Sequence, residues 1–308
     1  MTQAGILLIA SIAGIPVVAR RLCVAVLLLS PLAWCSSHAT AQVTKVHYRI
    51  ESLRSDRLYE YYLELLTLAL DSTKRKYGDY ELVPLYNMNF SRALITARKN
   101  TVANFIFGTS YSREMAAEFA LIDKPIDMGL LSYRVCFTST DLLENFKHVH
   151  TLDDLIGYTI GQGSDWLDVP LLRANGLTVV EYPIYNTLFS AVARGRFDLF
   201  CRGISELKIE WDAHKSLDGL AIEKYFALYY PFPRFLWTNT RNTQLVDRLT
   251  EGLNKVLESG QAKALTEKHH RASIDFSNLR QRTLIRLKNP NLVGLKSDFE
   301  KYFFNPLE

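Results

Sequence analysis

The sequence predicts an α/β fold of two lobes, each a mainly parallel sheet flanked by helices. In residues 151–206, short β-rich runs at 158–161, 177–182 and 197–201 alternate with two runs of helical periodicity. Strand, helix, strand, helix, strand is the order of parallel strands that are joined by helical crossovers. A helical run followed by a strand and a glycine occurs both at 90–108 and at 189–203. This imperfect repeat indicates that the chain builds the same α/β unit twice.

The composition is that of an ordinary globular protein with little net charge. The chain has 308 residues, of which 48% are hydrophobic and 22% charged, and this length suffices for two modest domains. Its formal charge is +4; without Arg20 and Arg21, 34 of the 36 basic residues remain against 32 acidic residues, which gives +2. Such a balance does not favour nucleic-acid binding.

The first 41 residues have the pattern of a secretory signal peptide. Arg20 and Arg21 precede an apolar run at 22–29, and small residues at 39 and 41 follow it. We therefore predict cleavage after Ala41 and a periplasmic location; the alternative is an N-terminal membrane anchor. After residue 42 no apolar run approaches the roughly 20 residues that span a membrane, so the mature chain is expected to be soluble.

The predicted elements of the first lobe follow one another from residue 45. Leu58, Tyr61, Leu65 and Leu68 share one face of a helix predicted over 57–76. The other predicted elements are strands at 45–50, 80–85 and 102–107 and a short helix at 90–98.

In the second lobe, glycines and small polar residues mark the ends of helices. Ser164 or Asp165 is predicted to cap a helix at 167–174, which Asn175 and Gly176 end. A further helix is predicted at 186–194, and one at 245–257 is expected to fold back on the first lobe.

Two of the four cysteines belong to the mature chain. Cys136 and Cys201 both lie in predicted strands of the second lobe. In an oxidising compartment they form either a disulfide or two buried thiols. Neither has the spacing of a metal ligand, and we expect no metal and no cofactor.

Several stretches together resemble one protein family. "LDDLIG" leading into "TIGQGS", followed by "LFSAVARGRFDLF", is similar to the second lobe of bacterial extracellular solute-binding proteins of the amino-acid type (family 3), which have the type II periplasmic-binding-protein fold. The likeness covers most of residues 45–270. It implies two lobes joined by two crossing segments, with a ligand bound between them.

The resemblance also implies domain boundaries. Residues 42–130 and 232–274 are expected to form lobe 1, and residues 131–231 lobe 2. Residues 275–308 are expected to be a C-terminal extension packed on the lobes.

An arginine after the third strand matches the family's carboxylate-binding motif. The Ser/Thr-x-x-Arg pattern falls on Ser110 and Arg113. Its arginine is implied to hold the α-carboxylate of the ligand through a bidentate contact, with Thr109 or Ser110 adding a hydroxyl. The alternative is a solvated arginine at a helix start that pairs with Glu114 or Glu118.

Four residues of the second lobe are expected along the same rim, since ligands bind outside the carboxyl ends of parallel strands. Ser164 and Trp166 follow one strand, and Arg202 and Glu206 follow another. Trp166 either stacks on a ligand or packs under the lobe. Amino-acid binders of the family place an acid at the position of Gly203, so Glu206 is the substitute carboxylate unless it is merely solvated. Arg202 either binds an anionic group or forms an inter-lobe salt bridge.

The resemblance implies that the chain binds a small, polar, carboxylate-bearing solute, amino-acid-like in character. The expected partners are this solute and an inner-membrane ABC permease or sensor, with the protein itself a monomer. Two alternatives stay open. One is a periplasmic enzyme similar to cyclohexadienyl dehydratase, for which Glu206 is the sole acid–base candidate. The other is an interaction protein that has kept the fold without a ligand. We predict no catalytic residues.

Overall fold

The computed structural model of the chain describes residues 43–50 and 56–307. The predicted signal peptide and its cleavage site lie outside the described residues. Twelve strands occur in the described part: β1 (Thr44–Arg49), β2 (Tyr80–Leu85), β3 (Phe105–Ser110), β4 (Ala120–Ile122), β5 (Tyr133–Ser139), β6 (Thr159–Gly163), β7 (Thr178–Tyr182), β8 (Phe200–Gly203), β9 (Leu220–Ile222), β10 (Phe226–Tyr229), β11 (Arg234–Thr238) and β12 (Thr283–Arg286).

Nine α-helices occur in the same described part, linked in places by short 3-10 turns. They are α1 (Asp56–Asp71), α2 (Lys74–Tyr77), α3 (Phe90–Lys99), α4 (Arg113–Glu118), α5 (Asp168–Ala174), α6 (Tyr185–Ala193), α7 (Ile204–His214), α8 (Thr243–Glu258) and α9 (Gln261–Ser277). None of these helices is both long and apolar enough to cross a membrane.

The first sheet has five strands in the order β2-β1-β3-β11-β4. β1 runs parallel to β2 and β3, and a helix connects each successive pair along the chain, as parallel pairing requires. β11 runs antiparallel to both β3 and β4. The chain therefore leaves this sheet after Ile122 and returns to it at Arg234.

The second sheet has the order β12-β10-β5-β8, with β9 also paired to β5. β6 and β7 form a parallel pair joined by α5, and a parallel bridge between Ile160 and Leu199 places the predicted third strand beside β6. The parallel arrangement predicted for 151–206 is thus present. β5, however, pairs antiparallel with β8, β9 and β10.

The α/β two-lobed architecture is confirmed, but both sheets are mixed rather than mainly parallel. The antiparallel strands are those next to the two crossings, at 123–132 and 230–233. A strand that enters a sheet from the other lobe, without a crossover helix on the same sheet, is free to run in either direction.

The start of α5 differs from its prediction. Ser164 continues the strand pair, because its backbone N–H donates to the carbonyl of Tyr182 at 2.9 Å. Asp165 then turns through a left-handed conformation with φ of 65°. The helix begins only at Asp168, after Leu167 at the N-cap position, so the capping roles predicted for Ser164 and Asp165 are wrong.

A disulfide joins the two cysteines of the second lobe. Cys136 of β5 and Cys201 of β8 lie directly opposite each other in the antiparallel pair. Both are fully buried, and their sulfur atoms are bonded. Of the two alternatives left by the sequence, the structure therefore has the disulfide.

Candidate functional site

A cavity of about 260 Å³ lies between the first sheet and the start of α7. Its volume is slightly below the roughly 300–1,000 Å³ of most small-molecule pockets. Residues of α1, β1, β3 and β11 form most of the wall, and Leu131 and α7 close it from the second lobe. The described lining residues are Tyr48, Arg49, Tyr59, Tyr62, Leu63, Leu65, Leu66, Ile106, Phe107, Gly108, Ile126, Leu131, Ser205, Glu206, Arg234, Leu236 and Leu253.

The first lobe contributes a guanidinium group to this mostly apolar cavity. One Nη of Arg234, at the start of β11, donates to the carbonyl of Gly108 at 3.2 Å. The guanidinium carbon lies 5.3 Å from the ring centre of Tyr62. Burial raises the pKa of Tyr62 to about 12, so its phenol stays neutral near pH 7. The wall thus offers a fixed cation beside a neutral hydroxyl.

The second lobe contributes the carboxylate of Glu206, which lies close to Gly203. A Cβ atom on Gly203 would lie 2.4 Å from Cδ2 of Leu131 and 3.2 Å from Oε2 of Glu206. Glu206, in the first turn of α7, thereby brings its carboxylate next to the place where a side chain at 203 would stand. A side chain at position 203 would therefore contact the carboxylate of Glu206.

Arg202 lies behind Glu206 in a buried ion-pair cluster. One of its Nη atoms is 3.0 Å from Oε2 of Glu206 and 2.7 Å from Oε1 of Glu210. The hydroxyl of Tyr185 donates to Glu210 at 2.5 Å. Burial disfavours the charge on Arg202, but the two carboxylates more than offset it and raise the pKa of Arg202 well above its usual value. Arg202 thus pairs within its own lobe rather than across the two lobes.

Trp166 packs on this cluster instead of facing the cavity. Its ring lies 4.9 Å from the Arg202 guanidinium carbon, which also faces the rings of Tyr185 and Phe200. A Cβ atom on Gly163 would lie 2.3 Å from the Trp166 ring, so the indole covers the end of β6. Trp166 and Ser164 are not among the lining residues.

The predicted residues of the first lobe lie beside the cavity rather than in its wall. Thr109 accepts a hydrogen bond from the Trp237 indole at its backbone carbonyl, at 3.1 Å, and Ser110 is buried at the end of β3. Arg113 is exposed, and its Nε donates to the carbonyl of Val293 at 3.1 Å. Of the seven predicted site residues only Glu206 lines the cavity. A ligand contact by the other six stays a prediction.

Sequence reasoning missed Arg234, Tyr62 and Tyr48. Arg234 directly follows the second crossing, whose Pro231-Phe232-Pro233 run is visible in the sequence, and a residue next to a crossing is expected to lie near the cleft. The tyrosines gave no such signal, because aromatic residues on a strand and on an amphipathic helix are normally part of the core.

Asp127 is a buried acid in the first crossing, and it directly follows the lining residue Ile126. Its Oδ1 accepts from the backbone N–H of Gly129 at 3.2 Å and of Arg234 at 3.5 Å. The side chain is only 4% exposed, and burial raises its pKa to about 6 despite the opposing charge of Arg234. Among the described residues no cluster of three or more His, Cys, Asp or Glu side chains is arranged to hold a metal ion.

This buried acid predicts a pH effect on stability. Because the folded state raises the pKa of Asp127 from 3.8 to about 6, it binds the proton more tightly than the unfolded chain. The contribution of Asp127 to stability is therefore present below about pH 4 and lost as the pH rises through about 6. Asp127→Asn keeps the Oδ1 acceptor and removes the titration.

The measurement is the free energy of unfolding of both proteins between pH 4 and pH 7. The wild-type value minus the variant value should decrease across this range, while exposed Asp141→Asn should parallel the wild type. A constant difference for Asp127→Asn would show that Asp127 does not titrate in this window.

Neither the known protein-family models nor the curated proteins contain a match to this chain. Solved structures do resemble it. One is an amino acid ABC transporter substrate-binding protein from Streptococcus pneumoniae bound to L-arginine, with 15% identity over 74% of this chain and 95% of that one, at a TM-score of 0.50.

Two others extend the comparison. The GluR0 ligand-binding core in complex with L-glutamate shares 13% identity over 75% of this chain and 99% of that one, at a TM-score of 0.53. A histidine kinase sensor domain with similarity to periplasmic binding proteins shares 17% identity over 74% and 96%, at a TM-score of 0.51. At these identities the likeness concerns the fold, and the chain has the two-lobed fold of the type II periplasmic binding proteins.

Proposed function

We propose that this chain binds a small, carboxylate-bearing solute of amino-acid type in the cavity between its lobes. The observation that supports this most strongly is the pair of opposite charges on the cavity wall. Arg234 comes from the first sheet, and Glu206 comes from the helix that follows β8 of the second sheet. A zwitterion placed between them would contact both lobes at once.

Each group suits one end of such a solute. The planar guanidinium of Arg234 matches a carboxylate, which it can hold with two parallel hydrogen bonds. Glu206 is one of two acidic side chains that pair with the single guanidinium of Arg202, so this cluster holds more acidic groups than basic ones. That excess favours a cationic group such as an ammonium. The apolar remainder of the wall would receive the body of the solute.

The cavity volume bounds the size of the ligand. About 260 Å³ accommodates a single small molecule and not a peptide of several residues. Two of the similar structures support this ligand size, because one was solved with L-arginine bound and the other with L-glutamate bound. Thr109, Ser110, Arg113, Ser164 and Trp166 would then support the wall or contact a ligand only after a rearrangement.

The wider setting follows from the same relatives and from the leader sequence. We propose a periplasmic monomer, released by cleavage after Ala41, that delivers its solute to an ABC permease or a sensor. Binding is favoured over catalysis because Glu206, the acid–base candidate taken from the sequence, forms an ion pair with Arg202.

The test compares two arginines by thermal melting and calorimetric titration. The mature protein is screened against L-amino acids and dicarboxylates, and the compound that raises the melting point is titrated into Arg234→Met and Arg113→Met. A ligand that binds only the folded state must raise the melting temperature by mass action. We expect Arg234→Met to weaken binding about 10- to 100-fold, which is about 1.4–2.7 kcal/mol. Arg113→Met should stay within about twofold, or roughly 0.4 kcal/mol, of the wild type.

The reverse result would move the carboxylate site to α4, as the sequence motif predicts. Failure of every compound to shift the wild type would contradict the proposal itself. Glu206→Gln tests the ammonium end. It should weaken the binding of an amino acid but not the binding of the matching carboxylic acid that lacks the amino group. Equal losses for both compounds would remove Glu206 from the role of ammonium partner.

A further inference from the structure

The C-terminal segment is anchored to both lobes. We define residues 283–304 as the C-terminal strap. It begins as β12, which lies parallel to β10 at the edge of the second sheet with Thr283 opposite Phe226. Asn175, just after α5, then donates its side-chain N–H to the carbonyl of Lys288 at 2.8 Å and accepts from its backbone N–H at 2.9 Å. This end of the strap belongs to the second lobe.

The middle of the strap passes from one lobe to the other within a few residues. The side chain of Asn289 donates to the carbonyl of Pro231 at 2.8 Å, and that of Asn291 donates to Leu167 at 3.3 Å. Two residues later the carbonyl of Val293 accepts the hydrogen bond from Arg113 of the first lobe. The strap thus spans the distance between the starts of α5 and α4.

Aromatic residues fix the far end to the first lobe and to the first crossing. Phe299 is 7% exposed and packs edge-on against Phe235 of β11, with ring centres 6.4 Å apart. Phe303 covers Gly129, where a Cβ atom would lie 2.4 Å from its ring. The backbone N–H of Phe304 donates to the carbonyl of Met128 at 2.8 Å. The strap therefore ends on the segment at which the lobes would bend.

The helix before the strap bridges the same two lobes. Tyr61 of α1 and Thr266 of α9 share a hydrogen bond of 3.1 Å in the first lobe. Further along α9, the hydroxyl of Ser273 donates to the carbonyl of Ile204 at 2.6 Å and accepts from the N–H of Lys208 at 3.1 Å. Both of these residues belong to α7 of the second lobe.

We propose that α9 and the C-terminal strap form a third connection, which holds the two lobes in one closed arrangement. Two crossing segments alone form a hinge that permits domain opening. Here a third chain segment is bonded on each side of that hinge, and Phe303 packs on one of the crossings. Opening of the cavity then requires release of the strap from the first lobe, whatever ligand the cavity takes.

The test measures the distance between the lobes in the protein without ligand. Cysteines replace exposed Arg92 on α3 and exposed Arg194 after α6, and spin labels on them report the distance distribution by pulsed electron resonance. The labelled protein starts at residue 42, where Cys136 and Cys201 are the remaining native cysteines; both are buried and joined to each other, so they do not take up label. We expect one narrow distribution for the wild-type strap, and a broader one extended to longer distances for Phe299→Ala with Phe303→Ala.

Two further variants keep the test decisive. Val293→Ala is the matched control, because the Val293 side chain is 56% exposed and only its backbone carbonyl holds the strap. It should leave the narrow distribution unchanged. Asn289→Ala with Asn291→Ala loosens the strap without touching the aromatic core, and replaces the phenylalanine variant if that one does not fold. A broad distribution in the wild type, or a narrow one in the variants with a loosened strap, would overturn the proposal.

Discussion

Replacing Arg202 with Met is expected to lower the free energy of unfolding by about 3–5 kcal/mol, which is the usual cost of removing one partner from a buried ion pair. Arg202 and Glu210 are each 8% exposed, so the carboxylates left behind have little access to water. Burial already raises the pKa of Glu210 against the opposing charge of Arg202. The faces of Trp166, Tyr185 and Phe200 would also lose the cation that they surround.

Urea denaturation with two-state analysis measures this effect, provided that the slope with denaturant is unchanged. Lys208→Met is the matched control: it breaks the pair with Asp212 on the same helix, but both side chains there are about 40% exposed. A surface pair of that kind contributes less than about 0.5 kcal/mol. Adding Glu206→Gln and Glu210→Gln to Arg202→Met should recover part of the loss, because no buried charge is then unpaired. If the free energy of unfolding of Arg202→Met alone lies within about 1 kcal/mol of the wild-type value, the expectation is contradicted.

The sequence predicted those parts of the fold that depend on local patterns. The alternation in 151–206 placed β6, α5 and β7 correctly, because a parallel pair and its crossover helix are continuous in the chain. It did not predict that β5 pairs antiparallel with β8 and β10. The direction of those strands is decided by how the chain returns from the other lobe, which no local periodicity records.

The residues of the candidate site divide in the same way, into those placed by local patterns and those placed by long-range contacts. Glu206 was predicted because it follows a strand at the expected rim, and a single α-helical turn brings it to the cavity. Arg234 was not, since its contact with Gly108 joins residues 126 positions apart. Arg113 matches the family motif, yet its Nε bonds the strap. The strap itself is short, basic and aperiodic, so β12 left no trace that sequence reasoning could detect.

Removing the disulfide is expected to lower the free energy of unfolding by about 4 kcal/mol, within the range expected for Arg202→Met. Cys136 and Cys201 are 65 residues apart, and the loop-entropy relation for a loop of that length gives about 4 kcal/mol at 25 °C. The variant is Cys136→Ala with Cys201→Ala in the chain from residue 42 onward, which leaves no cysteine there and introduces no buried hydroxyl. Denaturation is measured with and without a reductant.

Measurements with and without reductant distinguish the effect of losing the covalent bond from the effect of changed packing in the alanine variant. The reductant should destabilise the wild type by nearly the full amount and leave the double alanine variant unchanged, since that variant has no bond to lose. If the reductant does not affect the wild type, the two sulfur atoms are unbonded thiols in solution. Disulfides persist in oxidising compartments and are rare in the reducing cytosol. Residues 42–308 produced in a reducing cytosol should therefore have the lower free energy of unfolding, and oxidation of the purified protein should raise it to the value of the disulfide-bonded form.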